Sequence, residues 1–251
     1  MAEARYQARF AMSDSDLDAV QRLRYRAFVA ETGAVERPDG RDADAFDALC
    51  QHVLVEERKT ARLVASFRLL PVASGADIGN SYSAQYYELK GLSDFDGSMV
   101  EMGRFCVAPG ETDPDILRTA WGALAGYVDR AGAAMLFGCS SFQGTDAQAY
   151  ADAFAMLRDR HLAPKRWLPR IKAPRVFRFA QRLRRKPDAN TALRTMPPLL
   201  RSYLSMGGWV SDHAVVDPDL NTLHVFTGLE IASIPPARVR ILRAIAPAMP
   251  A

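Results

Sequence analysis

Apolar and polar residues change period several times along the chain, and each change marks an element. Tyr6–Phe10 alternates as a short strand. Asp14 and Asp16 open a helix in which Leu17, Val20, Leu23 and Ala27 recur at helical spacing, running to about Glu31 before Gly33 ends it. His52–Glu57 and Arg62–Leu70 read as paired strands across a turn at Arg58–Ala61. Met99–Val107 is a strand that Pro109 and Gly110 stop. A helix follows from Asp113 to about Ala131, with acids in its first turn and Gly132 behind it. The apolar run Ala134–Phe142 predicts a buried central strand. Trp209–Val216 and Thr222–Leu229 predict a closing antiparallel pair around Asp217–Asn221. This order predicts an α/β fold: one mixed central sheet flanked by helices, in a single domain over residues 1–251.

Charge adds a feature that periodicity does not show. Arg158–Lys186 carries twelve Lys/Arg against one Asp, a net of +11 in a chain of net +3, so the remainder sums to −8. Such asymmetry points to an anionic partner for one face. Val176, Phe179, Ala180 and Leu183 fall at i, i+3, i+4 and i+7, beside a stripe of Arg175, Arg178, Arg182 and Arg185. The spacing predicts a basic amphipathic insertion at about 158–186. The plain alternative is a solvated surface helix. No nucleic-acid module accompanies the basic residues. No apolar run is long enough to span a membrane and the first residues lack a secretory core, so a cytoplasmic protein is expected, free or peripheral on the inner membrane.

Candidate chemistry centres on a few charges set among apolar residues. Glu101 and Arg104 lie in the Met99–Val107 strand, Arg68 in another strand, Arg24 in the first helix, and Asp44 and Asp47 ahead of His52. Convergence of these three arginines and three carboxylates near one end of the sheet is the expectation. Strict alternation puts residue 104 on the opposite face from 101, 103 and 105, unless a bulge re-aims it. Each charge also has a structural explanation as a solvated or paired residue. Three dispersed cysteines and four dispersed histidines predict neither a disulfide framework nor a metal site. Cys139 reads as a small buried hydrophobe, and Ser140 and Ser141 beside it as pocket-lining residues.

Arg24 with Phe28, then Asp44 and Asp47, Arg68, and Glu101 with Arg104 resemble the pattern of acyl-homoserine lactone synthases. That resemblance implies a GNAT-like (acyl-CoA N-acyltransferase) fold and acyl transfer from acyl carrier protein to an amino-acid amine. Those enzymes carry a tryptophan a few residues past the phenylalanine. Here Gly33-Ala34 stands instead, which argues against S-adenosylmethionine as the amine. A resemblance over nearly the whole chain is to bacterial ornithine N-acyltransferases. It rests on LRYRAFVAETGA at 23–34, DAFDALCQHVLV at 44–55, VASFRLLP at 64–71, EMGRFCVAP at 101–109, MLFGCSSFQGTD at 135–146, RHLAP at 160–164, MPPLLRSYLSMGGWV at 196–210 and DPDLNTLHVF at 217–226. It implies transfer of a 3-hydroxyacyl chain from acyl carrier protein to L-ornithine, giving the lyso-ornithine lipid. Glutamine is the alternative acceptor, and a non-catalytic acyl-carrier or lipid-binding protein the alternative of another class.

The turn after the Met99–Val107 strand bears on the donor. Ordinary GNAT acetyltransferases hold a coenzyme A pyrophosphate on backbone N–H groups at this point. Here the turn reads APGETDPD at 108–115, with three acids and two prolines, which disfavours a diphosphate. No bound cofactor is expected, only the acyl-phosphopantetheine of acyl carrier protein as donor. Acyl carrier protein and an anionic membrane both suit the basic segment. Within this reading Glu101 is the candidate general base, acting through water. Arg24, Arg68 or Arg104 would clamp the amino-acid carboxylate. Asp44 or Asp47 would hold ornithine's distal ammonium, and a backbone N–H near Phe105–Val107 would face the thioester oxyanion.

Overall fold

The computed structural model describes residues 4–30 and 32–245. In chain order these form strand β1 (Tyr6–Phe10), helix α1 (Asp14–Phe28), β2 (Gln51–Glu57), β3 (Leu63–Val72), β4 (Tyr87–Glu88) and β5 (Met99–Val107). Then come α2 (Pro114–Ala131), β6 (Met135–Gln143), α3 (Ala151–Arg160), β7 (Arg170–Ile171), β8 (Val176–Phe177), α4 (Phe179–Arg182), α5 (Ala189–Thr195) and α6 (Pro198–Ser205). The last elements are β9 (Trp209–Val210), β10 (Ala214–Asp217), β11 (Thr222–Glu230) and α7 (Pro236–Ile245). They fold as two compact units. Of the described residues, one comprises 4–30, 32–71, 102–133 and 236–245, and the other 72–101 and 134–235.

In the first unit β1, β2 and β3 pair antiparallel, Tyr6 opposite Glu57 and Val53 opposite Phe67. The hairpin turns at 58–61 because the Thr60 and Ala61 N–H groups both donate to the Glu57 carbonyl. Helix α1 starts where expected, with Ser13 accepting from the Asp16 N–H. It ends at Phe28, short of the expected boundary at Glu31, which lies outside the described residues. Asp113 caps α2 by accepting from the Asp115 N–H, Pro114 occupies the first turn, and Gly132 at φ 59° closes it in the left-handed region. Helix α7 packs along α2, and Arg243 pairs with Asp129.

In the second unit the sheet is mixed. The start of β5 pairs parallel with β6 over Met99–Glu101, β6 pairs antiparallel with β11, and β10 and β8 follow. Phe137, Trp209 and Phe226 stack at its centre, with ring centroids within 5.9 Å. The 158–186 segment does not form the expected amphipathic helix. It is the end of α3, two short strands and the four-residue α4. Val176–Phe177 pairs with Ala214–Val215, and both Phe177 and Phe179 pack on Phe154 at 5.6 and 5.2 Å. Ladder pairing holds Val176–Phe177 extended up to α4, and Pro164, Pro169 and Pro174 remove helical donors within the segment. Arg175, Arg178, Arg182 and Arg185 are exposed, but they are not a helical stripe.

Candidate functional site

Arg24, Arg68 and Arg104 converge in the first unit, as expected, and they converge on aspartates. Arg24 is 1% exposed and donates from Nε to Asp42, from Nη1 and Nη2 to Asp47, and again to the Asp42 carbonyl. Arg68 donates to both oxygens of Asp44 at 2.6 and 2.9 Å and to Asp47 at 2.6 Å. Arg104 donates from Nε to Asp42 at 2.9 Å and from Nη2 to Asp44 at 3.1 Å. Gln21 adds a bond to Asp47, and Arg37 pairs with Asp42. The third carboxylate bonded to the arginines is thus Asp42, which the sequence reading left out. Its only trace was its place two residues before Asp44 in a loop of alternating charge.

Local structure explains how these groups meet. Arg24 lies on the buried face of α1 with Val20, Gln21 and Leu23. Asp44 caps the short turn Ala45–Leu49 by accepting from the Phe46 N–H, which presents Asp47 inward. Arg104 has φ 53°, so the β5 backbone leaves the extended region there and alternation breaks, as at a bulge. This turns Arg104 toward Asp42 and Asp44.

Burial would raise all three carboxyls, but the guanidinium groups outweigh it and hold each below its ordinary range. For Asp47 the strongest of these groups is Arg24, and for Asp44 it is Arg68. The Arg68 guanidinium is raised, its own desolvation being overcome by the Asp44 bond. Beside them His52 is lowered by burial, and its Nε2 sits 3.0 Å from the Asp47 carbonyl oxygen. That oxygen only accepts, so Nε2 carries the proton.

Glu101 lies in the second unit, 3% exposed. Its carboxylate accepts from the Tyr82 and Ser83 N–H groups at 2.7 Å each and from the Ser83 hydroxyl. The turn around Ser81–Gln85 therefore orients Glu101, a contact with no periodic or motif signature. Ser83 Oγ also lies 3.4 Å from Cys139 Sγ. The remaining expected residues spread over both units. Phe28 is half-buried at the end of α1, and Phe105 packs on Phe67 at 6.1 Å with half-buried Val107 beyond it. Ser140 is buried and accepts from Thr227 Oγ1 at 2.9 Å, whereas Ser141 is exposed.

The acids of the turn after β5 are less free to repel an anion than their sequence suggests. Each acid there has a basic partner: Glu111 with Arg62, Asp113 with Arg5, and Asp115 with Arg118. Repulsion of a diphosphate is therefore weaker than the sequence implies. Some of the donors are engaged as well: the Ala108, Glu111, Asp115 and Ile116 N–H groups bond within the protein.

An acetyltransferase (GNAT) domain model matches residues 23–122. The chain is 36% identical over 229 residues to an L-ornithine N(alpha)-acyltransferase of Rhodobacter capsulatus, covering 88% of each. It is 30% identical to one of Brucella abortus over 91% of this chain and 85% of that one. The chain belongs to the L-ornithine N(alpha)-acyltransferase family. It is an acyltransferase of the GNAT fold. A CoA-dependent acyl-homoserine lactone synthase, BjaI, superposes at TM-score 0.51 and 16% identity over 99% of this chain and 92% of that one. FeeM, an N-acyl amino acid synthase from uncultured soil microbes, does so at 0.50 and 9% over 91% and 92%. At such identities these two speak for the fold alone. No helix among the described residues is long and apolar enough to cross a membrane.

Proposed function

We propose that this enzyme transfers a 3-hydroxyacyl chain from the phosphopantetheine thioester of acyl carrier protein to the α-amine of L-ornithine, giving lyso-ornithine lipid. The likeness to relatives named for ornithine, extending over 88% of both chains in the Rhodobacter capsulatus case, carries the reading. Pro109 and Pro114, which carry no N–H, and the engaged Ala108, Glu111, Asp115 and Ile116 N–H groups leave fewer donors for a diphosphate after β5, which favours a carrier-bound donor.

A thioester is already activated, so an uncharged amine suffices as nucleophile. At neutral pH the α-amine is largely protonated. Glu101, oriented by Tyr82 and Ser83, takes that proton through a water, a contribution of about 10²- to 10⁴-fold. Positioning supplies more, about 7–11 kcal/mol. Asp44, whose side chain is 24% exposed against 0% and 6% for Asp42 and Asp47, receives the distal ammonium. Arg104, at 10% the most exposed of Arg24, Arg68 and Arg104, takes the carboxylate. Arg24, Arg68 and Asp47 hold those two in place. A backbone N–H near Phe105–Val107 meets the oxyanion, with Phe28 toward the substrates; Ser140 and Ser141 face opposite sides of β6, so only one of them shares that side. The enzyme works in the cytoplasm, peripheral on the inner membrane, and its exposed Arg175, Arg178, Arg182 and Arg185 meet the carrier protein. The test is mass spectrometry of products after mixing enzyme, 3-hydroxyacyl carrier protein, ornithine and glutamine. N-acyl ornithine is expected; N-acyl glutamine alone would overturn the acceptor assignment.

A further inference from the structure

A cavity of about 260 Å³ in the second unit is lined by Lys90, Gly91, Lys165, Arg166, Leu168 and Arg170. It is built by two loops that the strand pair β4 and β7 ties together, Tyr87 opposite Ile171 and Glu88 opposite Arg170. The loops meet backbone to backbone. A Cβ at Gly91 would lie 2.8 Å from the Arg166 carbonyl oxygen, so only glycine allows this approach. Trp167 anchors the second loop edge-on against Phe95 at 5.4 Å, and the Arg166 guanidinium lies 4.7 Å from the Trp167 ring centre.

Four cations thus share one small concavity with little counter-charge. Arg166 and Glu230 are 3.6 Å apart and Arg170 and Glu88 3.9 Å, beyond direct hydrogen bonding. The ammonium groups of Lys90 and Lys165 have no ion-pair partner among the described residues. A carboxylate offers two oxygens, too few for four donors arranged around a cavity. A phosphate ester offers more oxygens and a full charge, and lysine and arginine are its usual receptors. Next to Arg170 in the same strand, Ile171 is exposed. Cations with an exposed apolar side chain are what an anionic bilayer surface rewards.

We propose that this cavity seats the phosphate headgroup of an anionic phospholipid, docking the enzyme on the membrane into which its product partitions. The proposal rests on the peripheral reading above and names the site that carries it. The test is co-sedimentation of the intact protein with phosphatidylglycerol-containing vesicles, against phosphatidylcholine alone. The K90E/K165E variant should lose binding at least about thirty-fold, the effect of removing two basic contacts at an anionic surface before the added acids repel it. K90R/K165R should retain it, and R238E/R240E on exposed α7 should stay within about twofold. Equal loss in the α7 variant, or none in K90E/K165E, would overturn the assignment. So would saturation by inorganic phosphate with no preference for anionic vesicles, which marks a free-phosphate site, or a loss confined to carrier-protein affinity. Acyl transfer to ornithine with soluble carrier protein is read separately: its absence alongside intact vesicle binding sinks the acyl-transfer reading and leaves this one standing.

Discussion

Arg24, Arg68 and Arg104 and the four cations of the Lys90–Arg170 cavity are the same chemistry in opposite settings. The first three are nearly excluded from water, and each bonds to at least two groups of its own chain. The cavity cations are exposed, and their nearest acids stand off at 3.6 and 3.9 Å. Counter-charge supplied from within makes a cation part of the scaffold. Counter-charge left to an outside partner makes it part of a surface. Basic residues in a sequence say nothing about which case applies until their neighbours are known.

Removing one member from each set should separate the two cases most sharply. Asp47→Ala leaves Arg24 and Arg68 buried and short of a partner, a loss of about 3–5 kcal/mol by urea unfolding. Lys165→Ala should change the same measurement by less than about 0.5 kcal/mol. Comparable losses would erase the distinction. Glu101→Gln keeps the side chain's shape and removes the base, so kcat should fall about 10²- to 10⁴-fold with carrier affinity kept. Retained turnover would leave Glu101 as an anchor for the Ser81–Gln85 turn.

Asp44→Asn should raise the KM for ornithine about ten- to a hundred-fold, the worth of a charged hydrogen bond, and leave that for glutamine unchanged. Equal changes would return Asp44 to the scaffold. Acid should dismantle the aspartate cluster. Its carboxyls are lowered in the fold, so their contribution is complete above about pH 3.9 and is lost as pH falls through their folded values. His52 is also lowered, so its contribution is complete above about pH 6.5 and fades as pH falls through its folded value. A His52→Gln variant should lack that earlier decline in a pH series of unfolding curves. The smallest effect is expected from R178E/R182E: unchanged stability, with a few-fold, salt-dependent loss of carrier-protein affinity.

Much of this was legible in the residues alone. β1 and β5 lie where alternation puts them, and α2 is bracketed by Asp113 and Gly132 as its caps require. The convergence of Arg24, Arg68 and Arg104 with Asp44 and Asp47 was also visible, because charges inside strongly apolar strands and helices must find partners. Asp42 and the Ser83 contact to Glu101 were not, since both sit in irregular chain where no period marks a direction. The supposed amphipathic helix at 158–186 failed for a related reason. Val176, Phe179, Ala180 and Leu183 fit a helical wheel, but Phe177 and Phe179 were both claimed by Phe154, and the neighbouring strand β10 claimed the backbone.

By itself, then, the order of residues determined β1, α1, β2, β3, β5, α2, β6 and β11, where most of them stop, and that a set of buried charges must be mutually satisfied. Those properties depend on neighbours a few positions away. Tertiary structure alone decided that the arginines spend their donors on aspartates, that Glu101 is held by a distant turn, and that Lys90 joins Lys165 in one cavity. Each of those depends on distances between residues remote in the chain, and local period carries no information about them.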